Sequence, residues 1–211
     1  MAAAAQQETQ QETRQASVED YRHGRVPRPV RQRQLLDLAE ELFAERGYAG
    51  ASMDELARRA GVTKPVVYEL FGSKEGLFGV CVDRSIERLA AEIAAAVRAE
   101  GDPEARLRAG GLAFIRFAAG NRVAWDLMSM GGSFEEKARA VRSSQAELIR
   151  ELMAELAAEG TDPGELEVAA HAVNAAYEGV AHWMWDHPDV QIEQIADWIA
   201  DMLLPGLRRL T

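Results

Sequence analysis

The sequence predicts an all-α fold, and three observations carry that expectation. Apolar residues recur at three- and four-residue intervals along most of the 211-residue chain, alanine is abundant, and no stretch alternates in the manner of a half-buried strand. Glycine, proline and asparagine interrupt the helical stretches, as at Gly101-Asp102-Pro103 and Gly160-Thr161-Asp162-Pro163.

The chain opens with an Ala-, Gln- and Glu-rich segment, residues 1–21, that lacks a core-forming pattern and reads as a disordered tail. Five arginines follow, Arg22, Arg25, Arg28, Arg31 and Arg33, among prolines that favour an extended basic arm before a first helix beginning near Val30. Leu35, Leu38, Ala39, Leu42 and Phe43 make that helix amphipathic, and Gly47 ends it. Ser52 caps a second helix, with Glu55 completing the S-x-x-E pattern, and Gly61 breaks it after Ala60. Thr63 caps a third, with Pro65 in the first turn where a missing N–H costs nothing. A fourth starts at Ser73-Lys74 and runs to about Val97, and further helices are expected over 103–119, 122–130, 135–159, 163–186 and 191–208.

Charge is unevenly distributed. The chain carries a net charge of -10, yet residues 22–84 hold 11 Lys and Arg against 9 Asp and Glu. The lone cysteine, Cys81, excludes an intramolecular disulfide framework and fits a reducing compartment. The N-terminus has neither the basic flank nor the apolar run of a signal peptide, and no apolar stretch reaches the roughly 20 residues of a membrane span. A cytoplasmic protein without membrane contact is expected.

Two short helices joined by a Gly-containing turn form a helix-turn-helix, whose second helix enters the DNA major groove by its N-terminal end. Here that end is Thr63, Lys64, Pro65 and Val66, a hydroxyl, a cation and small apolar groups suited to base edges and the thymine methyl. Tyr68 on the next turn, and Ser52 and Lys74 at helix N-termini, suit phosphate oxygens, and the arm with Arg28 and Arg31 reads either as a solvated charge run or as a phosphate or minor-groove contact. The partner expected from these residues is double-stranded DNA.

The segment from Arg31 to Val80, with Ala39, Leu42, Phe43, Gly47, Tyr48, Ser52, Met53, Leu56, Ala57, Ala60, Gly61, Val62, Tyr68, Phe71, Lys74, Glu75 and Leu77, resembles the DNA-binding domain of the TetR (tetracycline repressor) family. The resemblance implies a homodimeric repressor on a palindromic operator, released by a small molecule. It further implies a helix-turn-helix domain over 22–73 and an effector-binding and dimerisation domain over 74–211, the fourth helix linking the two. Glu69 departs from the aromatic or histidine often found at its position in the family, and is left out of the expected site.

The last pair of helices is implied to dimerise, which brings in Ala172, Ala176, Gly179 and Trp183, one apolar sector of the 163–186 helix, with Ile195 and Ile199. Phe114, Phe117, Trp125, Met128 and Tyr177 suit either plain core or a ligand cavity for an apolar or aromatic effector. Gln145 joins them because it interrupts the apolar stripe Val141, Leu148, Leu152, where a buried amide needs a partner. The polar sector His171, Asn174, Glu178 and His182 reads as a solvent or dimer-rim face, a cavity wall or, last, a chelating pair at Glu178 and His182. His171 is about 16 Å from His182 along the helix axis, too far to share an ion. No metal site, cofactor or catalytic group is therefore expected. The alternatives are a DNA-binding regulator without an effector, and an all-α enzyme or metal-binding protein.

Overall fold

The computed structural model describes Tyr21, residues 26–122, Trp125 and residues 135–207. Among these residues lie eight helices: α1 (Arg28–Gly50), α2 (Met53–Arg59), α3 (Lys64–Phe71), α4 (Lys74–Ala99), α5 (Pro103–Gly120), α6 (Glu135–Ala154), α7 (Pro163–Met184) and α8 (Ile192–Leu207). The chain divides into two compact units, Met1–Asp83 and Arg84–Thr211, and the division falls within α4 rather than at its start.

In the first unit α1 begins at Arg28, so Arg28 and Arg31 stand on helical turns and not on an extended arm. The physical reason is Pro29 in the first turn, whose fixed φ suits a helix start. Arg31 donates to the Gln34 side chain at 2.6 Å, while Arg22 and Arg25 lie outside the described residues. Gly47, at φ 66 and ψ 172, interrupts α1 at the expected end, and a short helical stretch continues to Gly50. The core joins Leu35, Ala39, Leu42 and Phe43 to Leu56 of α2, Val67 and Phe71 of α3 and Phe78 of α4. Phe78 meets the rings of Phe43 and Tyr48 edge-on at 4.9 and 5.2 Å. Cys81 is buried and free.

In the second unit α6 packs on α7, α8 packs on α5 and α7, and α5 also touches α6 and α7. Phe114, Ile115, Met153, Tyr177, Ala181, Ile195 and Ile199 belong to its core. Asp102 and Asp162 cap α5 and α7, accepting from Ala105 and Gly164 N–H groups at 3.0 and 2.6 Å. α6 stops at Ala154, short of the expected 159, because the Met153 carbonyl is taken by both Leu156 and Ala157 N–H groups in a tightened turn. The expected helix over 122–130 lies largely outside the described residues. No helix among the described residues is long and apolar enough to cross a membrane.

Candidate nucleic-acid interface and interior cavity

The link from α2 to α3 is built from backbone first. At the end of α2 the Val62 N–H reaches the Ala57 carbonyl (3.0 Å) and the Gly61 N–H the Arg58 carbonyl (3.3 Å), the paired bonds of a Schellman cap. Gly61 has φ 64, a left-handed conformation that a side chain resists, so glycine sets the angle at which α3 leaves α2. Ser52 accepts from the Glu55 N–H at 3.2 Å, as a cap should. Thr63 occupies the N-cap position of α3, but its hydroxyl makes no capping bond. Its side chain is exposed beside those of Lys64 and Pro65, whereas Val66 is half-buried and Val67 belongs to the core.

Carboxylates engage Arg46, Arg58, Arg59 and Lys64. Arg59 forms a fork on Glu45 at 3.0 and 2.6 Å and also reaches Glu55 at 3.0 Å, tying α1 to α2. Those bonds hold the Glu45 and Glu55 carboxyls below the usual range. Lys64 Nζ lies 2.7 Å from Asp54 Oδ1, which raises the lysine, and 5.7 Å from the Tyr68 ring centroid. Lys74 sits 4.6 Å over the Tyr48 ring and donates to the Ala49 carbonyl at 3.3 Å. The sequence reading missed Asp54, and no local signal identifies it, because its partner belongs to the next helix.

The second unit carries a partly open cavity of about 70 Å³ with a predominantly apolar wall that includes Ile93, Phe114, Leu148, Val173 and Leu203. Of the side chains expected at a ligand, Phe114, Gln145 and Tyr177 line it. Phe117 is buried but does not, and Met128 lies outside the described residues. Trp125 instead lines an adjacent chamber of about 40 Å³ with Arg142, Glu178 and His182, and Gln145 is common to both walls. Gln145 is half-buried and its amide makes no hydrogen bond among the described residues. Burial pushes the Tyr177 hydroxyl up to about 12 and raises Glu178 as well.

The polar sector of α7 turns partly inward. Asn174 is buried on the larger cavity and donates to Glu178 at 3.3 Å. His182 Nδ1 lies 2.9 Å from the Glu178 carbonyl and 3.3 Å from the Trp125 indole nitrogen, so it either donates to the first or accepts from the second. Glycine matters here for space rather than angle. A Cβ on Gly111 would meet the Tyr177 oxygen at 2.1 Å, so only glycine lets that ring lie against α5.

The residues expected at a dimer face divide. Ala172 and Gly179 are exposed, Ala176 is half-buried and Trp183 is 42% exposed. Ile195 and Ile199 are buried in the chain's own core, because the apolar side of α8 turns toward α5 and α7. They present no free surface. The exposed large apolar side chains of α8 are Trp198 and Met202, and α7 adds Val168.

A short α2-turn-α3 unit with an exposed basic tip, followed by an all-helical second unit, defines a helix-turn-helix DNA-binding regulator. The model of bacterial regulatory proteins of the tetR family matches residues 35–81, and a tetracyclin repressor-like C-terminal domain matches residues 100–207. The chain belongs to the TetR family of DNA-binding transcriptional regulators. The transcriptional activator FasR of Mycolicibacterium smegmatis is 45% identical over 96 residues, 46% of this chain and 44% of that protein. The transcriptional repressor ComR of Escherichia coli is 42% identical over 57 residues, 27% of each chain. The chain thus spans less than half the length of these two relatives. A TetR-like regulator from Rhodococcus sp. RHA1 superposes with a TM-score of 0.68 at 29% identity, covering 88% of this chain and 100% of that one. A TetR/AcrR-family regulator from Thermobifida fusca gives 0.71 at 28% identity, with 85% and 99% covered.

Proposed function

We propose that the protein is a homodimeric repressor that leaves a palindromic operator when a small apolar or aromatic molecule with one or two polar groups binds its second unit. Thr63, Lys64, Pro65 and Val66 read bases, Tyr68 spans base and backbone, and Arg28, Arg31, Ser52 and Lys74 meet phosphates. The observation that carries the effector half is the apolar cavity whose wall includes Tyr177 and Gln145, an amide with no hydrogen bond among the described residues. Polar groups set into an apolar wall fix the orientation of a ligand, and they gain by bonding one.

The cavity is well below the roughly 300–1,000 Å³ of drug-sized sites, so seating a ligand of that size requires it to widen. That widening supplies the conformational difference through which a ligand can act on DNA, since an effector shifts an equilibrium only by its unequal affinity for two states. The test is a titration of purified protein, bound to a duplex recovered from a genomic library, with a panel of apolar and aromatic compounds. The active compound should lower DNA affinity by about 5- to 150-fold, and DNA should weaken its binding by the same factor. Gln145→Leu should blunt the response to polar-headed compounds while operator affinity stays unchanged. A panel without effect on DNA binding would favour a regulator without an effector. Repression itself is read from a reporter: deleting the gene should raise transcription from the recovered operator, and a fall would make the protein an activator.

A further inference from the structure

We propose that Asp54 is a built-in competitor for DNA, holding Lys64 in the free protein and penalising contacts that do not draw the lysine away. The inference rests on α3 being the reading helix. Asp54 lies in the first turn of α2 and Lys64 in the first turn of α3, and the turn between them brings Oδ1 and Nζ to 2.7 Å. The cation meant for the groove is therefore already neutralised before DNA arrives.

Two ion-pair systems among the described residues of this unit differ in kind. Arg59 is forked on Glu45, shared with Glu55 and only 20% exposed, the geometry of a brace between helices. Lys64 and Asp54 touch through one contact and are 53% and 67% exposed, the geometry of a pair that exchanges readily with solvent ions or a phosphate. In the same position Nζ lies 5.7 Å from the ring centroid of Tyr68, one turn along the same helix.

A consequence for salt dependence follows. A lysine that meets a phosphate releases about one condensed cation from DNA. When that lysine first leaves Asp54, the freed carboxylate beside the duplex takes up a cation in return, and the net release from this contact approaches zero. A random sequence offers phosphates alone, so it bears the full cost of separating the pair. A cognate site offsets it with base-edge bonds to Lys64. Asp54 thereby widens the gap between cognate and random DNA.

The experiment compares full-length wild type, Asp54→Asn, Glu69→Gln and Lys64→Ala. Each is titrated against a random-sequence duplex and a duplex selected from a genomic library, at several salt concentrations, after thermal melting confirms folding. Asp54→Asn should tighten random-duplex binding by roughly two- to fivefold, steepen its salt slope by about one unit and raise cognate affinity less. An equal gain from Glu69→Gln would reduce the effect to a lost negative charge and overturn the proposal. A loss of cognate affinity in Asp54→Asn with random binding unchanged would also overturn it, by making the pair a positioning device kept on DNA. If Lys64→Ala weakens binding while Asp54→Asn does nothing, the competitor alone fails. If Lys64→Ala changes neither duplex, the reading helix itself is misassigned and the inference falls with it.

Discussion

Gly110 and Gly111 are neighbours in the middle of α5 and differ in the room each has for a side chain. A Cβ on Gly110 would lie 3.2 Å from Val97 Cγ2, a contact a small shift relieves, whereas on Gly111 it would lie 2.1 Å from the Tyr177 oxygen and 2.4 Å from its Cζ. Alanine favours a helix interior over glycine by about 1 kcal/mol. Gly110→Ala is therefore expected to be neutral or mildly stabilising. Gly111→Ala should cost about 1–3 kcal/mol, because Tyr177 is buried and has to leave its place. Thermal unfolding of the two variants checks this, and equal melting temperatures would refute the packing. Gly111→Ala should also disturb the cavity, since Tyr177 forms part of its wall.

Helix α7 serves more than one role, because successive sectors of it face different surroundings. Val173, Tyr177 and Ala181 supply core, Asn174 borders the larger cavity and Glu178 and His182 the smaller, while Ala172, Gly179 and Trp183 remain exposed. Glu178 is the costly member. Burial raises its carboxyl, against the opposing pull of Arg142, His182 and the Asn174 bond. With the folded pKa above the unfolded one, the unfolded chain ionises first as pH rises, so this group lowers stability above its ordinary value of 4.5. Glu178→Gln keeps an acceptor for Asn174 and removes the charge. The variant should melt higher than wild type at pH 7, and the difference should disappear below about pH 4. A difference that persists in acid would show that shape rather than charge is responsible.

For the chain as a whole, the net charge of -10 conceals a local excess of cations over residues 22–84, and the DNA-binding class follows from the distribution rather than the total. Homodimerisation is expected on the exposed apolar side chains Val168 and Trp183 of α7 and Trp198 and Met202 of α8. A two-fold pair then reads two related half-sites. Trp198→Arg should shift sedimentation toward the monomer and lower affinity for a two-half-site duplex far more than for a single half-site. An unchanged sedimentation coefficient would move the interface elsewhere.

The sequence by itself determined what depends on neighbours within a turn or two. Apolar spacing marked the helices, Ser52 proved to be a cap while Thr63 holds its N-cap position without a capping bond, and Gly47 and Gly61 proved to be breaks, because each of these acts on backbone groups a few residues away. The helix-turn-helix was legible for the same reason. Tertiary structure decided whatever depends on which helix lies opposite. Ile195 and Ile199 share an apolar stripe that the sequence leaves free to face core or partner, and packing against α5 and α7 turned it inward. Gly111 reads as a poor helix residue until Tyr177, far along the chain, is laid against it. Asp54 and Lys64 are ordinary surface charges on separate helices until the turn at Gly61 sets them 2.7 Å apart. Helical periodicity fixes the direction of a side chain around its own axis, and only the packing of axes determines what that direction meets.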